Sequence, residues 1–243
     1  MAVRPEKSPV IRMDSVVKSY GGLRPLRLRR FTLNAGEGVG LAGFDRTMAE
    51  VFVNLTTGAT LPEQGEVAVF GRATSSIADS AEWLATVDRF GIVSERVVLL
   101  EQFTLAQNIA MSLTLDLEPV SAEVQEQVEG LGGEVGLSAD DLNRRVGESG
   151  AALRLRARLA RAIVTGPSML LVEHPAANLT PEEMTSVGAD VARVSKRRTL
   201  AVIVLSATPD LGREFVDRML ILNPATGALT EEKRGVLGRL FGR

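Results

Sequence analysis

Residues 151–175 read Ala-Ala-Leu-Arg-Leu-Arg-Ala-Arg-Leu-Ala-Arg-Ala-Ile-Val-Thr-Gly-Pro-Ser-Met-Leu-Leu-Val-Glu-His-Pro, and this stretch decides the fold class. Apolar residues recur at helical spacing over 151–164, and the Gly-Pro pair at 166–167 ends that helix. Residues 169–172 are a short continuous apolar run, which is typical of a strand buried on both faces. Thr180-Pro181 then has the form of a helix start, with threonine at the cap and proline in the first turn. The order helix, buried strand, helix predicts an α/β fold.

The N-terminal part of the chain has a different, strand-rich pattern. Residues 10–20 and 26–33 alternate in polarity around a Gly-Gly pair, and they predict two antiparallel strands. Residues 36–43 form a glycine-rich apolar run, and residues 47–55 continue with helical character. This part therefore predicts an antiparallel edge followed by a strand, turn and helix unit.

The rest of the chain alternates between helical and strand-like segments. Mostly helical spacing covers residues 80–142 and predicts a helical lobe, and a helix is also predicted at 210–216. The tail from Asn223 is glycine-rich and charged, and residues 236–241 are a candidate for a small amphipathic end. Further strands are predicted at 65–71, 200–205 and 218–222.

Composition excludes several classes of protein. The 243 residues are 45% hydrophobic and carry a net charge of -2, so no global attraction to nucleic acid or to an anionic membrane is expected. No cysteine is present, which excludes disulfides and thiolate metal sites. The longest apolar run, residues 200–205, is far too short to span a membrane. We expect a cytoplasmic protein.

Several segments together resemble the ATP-binding subunits of ABC transporters. The most specific are residues 156–162, which resemble the end of the signature helix, residues 167–175, which resemble the Walker B strand, and Leu179-Thr180. Weaker matches lie at Thr104-Leu105, Asn108-Ile109, Asp217-Arg218, Gly58, Pro62, Gly65 and Gly71. The resemblance covers residues 10–222. It implies an α/β, ABC-ATPase-like (P-loop NTPase-type) core of mostly parallel sheet, with an N-terminal antiparallel β part and a helical subdomain.

The same resemblance predicts one domain over residues 1–243. Its parts are a β-rich part with a phosphate loop at 10–79, a helical lobe at 80–150, the signature helix with the Walker B core at 151–222, and a tail at 223–243.

The phosphate loop departs from the family pattern Gly-x4-Gly-Lys-Ser/Thr, in which backbone N–H groups and lysine hold phosphates and a hydroxyl holds magnesium. Gly43 is kept, but Met48, Ala49 and Glu50 replace the second glycine, the lysine and the hydroxyl. A charge pair at about 4 Å and an effective dielectric of about 20 is worth roughly 4 kcal/mol, so these exchanges predict loss of ordinary ATP affinity. Arg46 either replaces the positive charge of the missing lysine or is an exposed turn residue.

The positions for the hydrolytic machinery also differ from the family. Walker B has an aspartate for the magnesium shell and a glutamate that polarises water, and Glu173 and His174 stand there. His174, the only histidine, is either a weak base or a strand-end residue without a chemical role. Glu95 replaces the magnesium-sensing glutamine, and Ala207 replaces the switch histidine.

The signature segment, which in the family contacts the ATP of the opposite subunit, is changed as well. Residues 149–152 align with the signature Leu-Ser-Gly-Gly, so Gly150 and Ala151 take the places of its serine and first glycine. Tyr20 either stacks on adenine or caps the core at a strand end. We assign no catalytic residue and no metal ligand. The cofactor-binding candidates are Tyr20, Gly43, Arg46, Ala49, Glu50, Glu95, Gly150, Ala151, Glu173, His174 and Ala207.

Three functions follow from this pattern. The leading hypothesis is a catalytically degenerate ABC-type subunit, a pseudo-ATPase that serves as a structural or regulatory component beside membrane permease subunits or a second ABC subunit. The second is an ATPase that still binds Mg·ATP at an unorthodox site with Arg46, Glu173 and His174. The third is an interaction module that has left transport. The arginines at 154, 156, 158 and 161 fit a solvated helix face, and we expect no nucleic-acid binding.

Overall fold

The computed structural model describes residues 9–216 and 218–232. Its strands are β1 (Pro9–Lys18), β2 (Leu26–Asn34), β3 (Gly38–Ala42), β4 (Gln64–Val69), β5 (Arg72–Ala73), β6 (Phe90–Val93), β7 (Met169–Glu173), β8 (Ala201–Ser206), β9 (Met219–Asn223) and β10 (Ala228–Glu231). Its α-helices are α1 (Arg46–Thr56), α2 (Ser80–Val87), α3 (Leu105–Ala110), α4 (Ala122–Glu134), α5 (Ala139–Leu142), α6 (Ala151–Ile163) and α7 (Pro181–Arg198).

The strands form two sheets. An antiparallel sheet has the order β2-β1-β4-β5, and a second sheet has the order β10-β9-β3-β8-β7-β6. In the second sheet only β10 runs antiparallel to its neighbour, and the four other pairs are parallel. The predicted α/β class, with a mostly parallel core sheet and an antiparallel N-terminal part, is confirmed.

The parallel sheet separates two hydrophobic cores. Alternate residues of β7 point to opposite faces, so Met169 and Leu171 join one core while Leu170 and Val172 join the other. The first core lies between the two sheets and includes Phe52 of α1. The second lies under α3, α4, α6 and α7. All residues of β7 and β8 are buried, which explains their continuous apolar sequence.

Helix caps fix the ends of the helices near the sheet. Thr180 and Glu183 form a reciprocal capping box at the start of α7, with Pro181 in the first turn, as the sequence predicted. Thr104 and Gln107 do the same for α3. The side chain of fully buried Asn108 bonds to the backbone of Leu100 and Thr104, so the loop before α3 is held rigidly.

Two predictions about elements are wrong, and one strand was missed. Residues 90–93, inside the range predicted to be mostly helical, form β6, because this short run gains its hydrogen bonds from β7 far along the chain. Residues 210–216 were predicted to be a helix, but the helical part is a 3-10 turn (Pro209–Leu211) that ends at Gly212. The tail from Asn223 contains β10, which was not predicted. The predicted amphipathic end at 236–241 lies outside the described residues.

Among the residues the structure describes, no helix is long and apolar enough to cross a membrane.

Candidate functional site

The loop at residues 43–45 joins β3 to α1 and is held by the neighbouring strand. Gly43 has a φ of +90°, a conformation that glycine adopts without strain. The N–H groups of Gly43 and Phe44 donate to the carbonyl oxygens of Ala207 and Ser206, at 3.1 and 3.0 Å. The Phe44 ring is fully buried and packs edge-on against Phe52, with 5.6 Å between centroids. The first two N–H groups of the loop are therefore already used.

Asp45 caps helix α1 with its own carboxylate. Its Oδ1 accepts a 2.7 Å hydrogen bond from the N–H of Met48, at the helix N-terminus where backbone N–H groups otherwise attract an anion. An incoming phosphate would have to displace this carboxylate or bear its repulsion. Sequence reasoning did not single out Asp45, although an aspartate directly before a helix start is the signal of a cap.

Ala49 and Glu50, the candidates for the lysine and hydroxyl positions, differ in how far they are buried. Ala49 is completely buried in the core between the two sheets. Glu50 points outward with 46% of its side chain exposed, and its carboxylate lies 3.4 Å from Nη1 of Arg96.

Arg96 connects the carboxylates of Glu50 and Glu173. Its Nε donates to Oε2 of Glu173 at 3.1 Å, and its Nη2 makes a second, short contact with Oε1 of the same residue. Ser94 Oγ also donates to Glu173, at 3.0 Å. Glu173 is only 6% exposed, and its hydrogen bond raises the pKa of Arg96 above the ordinary value. The guanidinium is thus a fixed positive charge between Glu173 and Glu50.

Sequence reasoning missed Arg96. It directly follows Glu95, in the loop after β6, so a basic residue beside the sensing position was the available signal.

A second, more exposed pair lies beside this arginine. Arg46 Nη1 lies 2.9 Å from Oε2 of Glu95, with 70% and 40% of the side chains exposed. Asn178 donates to the other oxygen of Glu95 at 3.3 Å. Arg46 is therefore an exposed residue that is paired with a carboxylate of its own chain.

His174 lies in a strained conformation at the end of β7. Its φ is +46°, in the left-handed region, and its N–H donates to the carbonyl oxygen of Leu205 at 2.9 Å. The Nε2 atom is buried and has no hydrogen-bond partner. Such an orphaned buried nitrogen is costly and calls for an explanation.

The remaining candidates lie at the edges of this cluster. Tyr20 packs against the core and also lines a shallow groove beside Asp45; burial first, and then the negative charge of Asp45, raises its pKa. Both open alternatives for Tyr20 fit this position. Ala207 is exposed directly after β8. Gly150 is the N-cap of α6 and makes no side-chain cap, and Ala151 is the first residue of that helix.

The structure therefore assembles most of the candidate positions at one edge of the parallel sheet. Glu50, Glu95, Glu173 and His174 come together with two arginines. Gly150 and Ala151 lie on the neighbouring helix, and Tyr20 lies at the far side of the loop.

Comparisons with known proteins show which proteins the chain is similar to. No protein-family model matches the chain. The lipoprotein-releasing system ATP-binding protein LolD of Psychrobacter arcticus is 29% identical over 191 residues, 79% of this chain and 84% of that protein. The phosphonates import ATP-binding protein PhnC of Anaeromyxobacter dehalogenans is 28% identical over 239 residues, 96% of this chain and 47% of that protein. The predicted resemblance to ABC transporter ATP-binding subunits is confirmed.

Solved structures give the same fold. The dimeric ATP-binding cassette MJ0796, bound to ADP and Pi, has a TM-score of 0.71 at 21% identity and covers 93% of this chain and 99% of its own. The protein cbiO1 from Clostridium perfringens, part of the ABC transporter complex cbiONQ, has a TM-score of 0.74 at 14% identity, with 91% and 87% covered. The predicted fold, that of ABC ATPase cassettes, is confirmed.

Proposed function

We propose that this chain, a relative of ABC transporter ATP-binding subunits with the ABC cassette fold, is a structural or regulatory subunit of a membrane transporter complex and does not hydrolyse ATP. The position of Arg96 carries this proposal. Its guanidinium joins Glu173 and Glu50, which stand where the family places its magnesium-binding aspartate and hydroxyl. A side-chain cation thus balances the charge that a metal ion would otherwise balance.

The donor set does not fit Mg·ATP. Magnesium requires oxygen ligands in near-octahedral geometry, usually one or two carboxylates, waters and substrate phosphates. Glu173 already accepts hydrogen bonds from Arg96 and Ser94. On the phosphate side, Ala49 supplies no charge and Asp45 occupies the helix N-terminus. These features favour a closed site, meaning one that does not bind Mg·ATP. They also disfavour catalysis through Arg46, Glu173 and His174.

Pairing with an active subunit would not restore a site. In the family, two subunits meet head to tail, and each ATP site combines the Walker residues of one with the signature of the other. This chain departs from the pattern in both halves, since Gly150 and Ala151 stand at the signature positions. Neither composite site would be intact. We therefore propose that the chain acts by binding partner proteins through its surface.

The partners that we propose are membrane permease subunits, a second ABC subunit, or both. In the family the helical part meets the permease, which would place this chain at the inner face of the cell membrane. The cargoes in the names of LolD and PhnC belong to those proteins.

Calorimetric titration with Mg·ATP up to millimolar concentration tests the closed site. We expect no heat of binding. Binding in the micromolar range would overturn the closed-site proposal. Steady ATP turnover that disappears in both Glu173→Ala and His174→Ala would establish the unorthodox ATPase instead.

Purification from native cells tests the transport role. We expect a permease-like membrane protein to co-purify with the chain. A strictly monomeric protein without membrane association would exclude the proposed role and favour an interaction module outside transport.

A further inference from the structure

A small pocket lies beside the Arg96 cluster and is distinct from the nucleotide loop. Its volume is about 280 Å³, and it is enclosed between the first turns of α6, the loop after β6 and the end of β7. No residue of the loop at 43–50 lines it. The side chains that determine its chemistry are Arg154, Arg158, His174, Glu95, Glu173 and Ser149.

The two arginines of this pocket have no acidic partner. Arg158 Nε donates to the carbonyl oxygen of Val97 at 3.1 Å, and Arg154 Nε donates to that of Val146 at 3.1 Å. Within residues 9–216 and 218–232, no carboxylate lies within salt-bridge distance of either guanidinium. Burial is the main cause that lowers the pKa of Arg158. A partly desolvated cation without a counter-ion is unfavourable, and an anion in the pocket would relieve it.

Of the carboxylates that line the pocket, Glu95 interacts favourably with the charge of Arg158, but neither Glu95 nor Glu173 forms an ion pair with Arg154 or Arg158. Glu95 is paired with Arg46 and accepts a hydrogen bond from Asn178. Glu173 is paired with Arg96. Arg46 and Arg96 together face three carboxylates, those of Glu50, Glu95 and Glu173, so the two further cations Arg154 and Arg158 leave this region with one positive charge in excess.

His174 gives an independent indication of a ligand. Its Nε2 atom is buried and lacks a hydrogen-bond partner, and the residue lines the same pocket. The Nε2 atom has no surface open to the pocket, so an oxyanion there would accept its hydrogen bond after a rotation of the imidazole ring.

We propose that this pocket binds a small oxyanion of the phosphate class, held by Arg154, Arg158 and His174. A volume of about 280 Å³ corresponds to about nine waters at about 30 Å³ each, which suits a phosphate with a few waters. This volume lies at the lower end of the range for organic-ligand pockets, about 300–1,000 Å³. The proposal goes beyond the transport role and does not depend on it.

Nuclear magnetic resonance of His174 tests the proposal directly. Because this is the only histidine, its imidazole signals need no assignment by mutation. We expect inorganic phosphate, titrated at constant pH and ionic strength, to shift these signals in a saturable way, while chloride at equal ionic strength does not. A linear response, or an equal response to chloride, would overturn the proposal.

Matched arginine variants locate the ion. Arg158→Gln should weaken phosphate binding by about tenfold or more, since a hydrogen bond to a charged group is worth at least about 1.4 kcal/mol. Arg161→Gln is the control, because Arg161 lies on the same helix, has its pKa lowered by burial, and does not line the pocket. Equal weakening by both variants would contradict the assigned site.

Two further measurements keep the test decisive. If Arg158→Gln does not fold, His174→Asn replaces it, with the heat of phosphate binding as the readout, and undiminished heat would overturn the proposal. Titration with Mg·ATP in the presence of phosphate separates the two sites. Competition between them would place the ion in the nucleotide site, against this proposal, whereas phosphate binding without any Mg·ATP heat would support both proposals.

Discussion

Replacing Arg96 by methionine is the most informative perturbation of the site. The substitution keeps an apolar stem of similar length and removes the guanidinium from Glu173, whose side chain is 6% exposed. Removing one partner of a fully buried ion pair costs about 3–5 kcal/mol. Because Arg96 itself is 42% exposed, water screens part of that loss. We therefore expect the free energy of unfolding to fall by about 2 kcal/mol, near the value of one hydrogen bond to a charged group.

Arg46→Met is the matched control at the same edge of the sheet. It also removes one arginine from one glutamate, but the two side chains are 70% and 40% exposed. Exposed ion pairs contribute about 0–1 kcal/mol, so we expect a loss below about 0.5 kcal/mol. The Glu173→Gln variant completes a double-mutant cycle with Arg96→Met, and we expect a coupling energy of about 1.5 kcal/mol.

Urea unfolding supplies the measurement. Trp83 is the only tryptophan and donates its indole N–H to the carbonyl oxygen of Thr57 at 3.1 Å, so its fluorescence reports the fold near α1. Circular dichroism follows the helices, and coincident curves establish a two-state transition. A loss in Arg96→Met no larger than that in Arg46→Met, or a coupling energy near zero, would refute the assignment of Arg96 as the buried counter-ion.

Three further predictions concern a helix cap, an ion pair between two helices and a close packing contact. Asp45→Ala should lower stability by about 1 kcal/mol through loss of the α1 cap, whereas Asp45→Asn should retain most of it in thermal unfolding. The hydrogen bond from Arg198 lowers the pKa of Glu134 below 4.5, so this carboxylate stabilises the fold above that value and loses its effect as the pH falls through the lowered value. The stability advantage over Glu134→Gln in urea, about 1 kcal/mol at neutral pH, should therefore shrink as the pH falls below 4.5 and disappear once Glu134 is protonated in the folded protein. Gly91→Ala should cost about 2 kcal/mol or more, because a β-carbon would overlap a backbone carbonyl of α6, whereas Gly130→Ala, with open space around it, should be neutral or stabilising.

Much of the fold was predictable because its signals are local. The amphipathic pattern at 151–164 became α6, which ends at Ile163, and the apolar run at 169–172 became the first four residues of β7. Thr180 caps α7 through bonds within one turn. The strand β6 was not predictable in this way, because its four residues gain their stability from pairing with a strand that follows after the whole helical part.

The candidate positions of the site could also be predicted from the sequence, because the resemblance assigns them by motif and spacing. The sequence alone predicted Ala49 and Glu50 at the lysine and hydroxyl positions, and a glutamate and a histidine at the end of the buried strand. It did not determine what neutralises those carboxylates. Arg96 and Glu173 are 77 residues apart and meet only because β6 and β7 are neighbours in the parallel sheet. Charge pairing across a sheet edge depends on distances in three dimensions, and only the tertiary structure decides it.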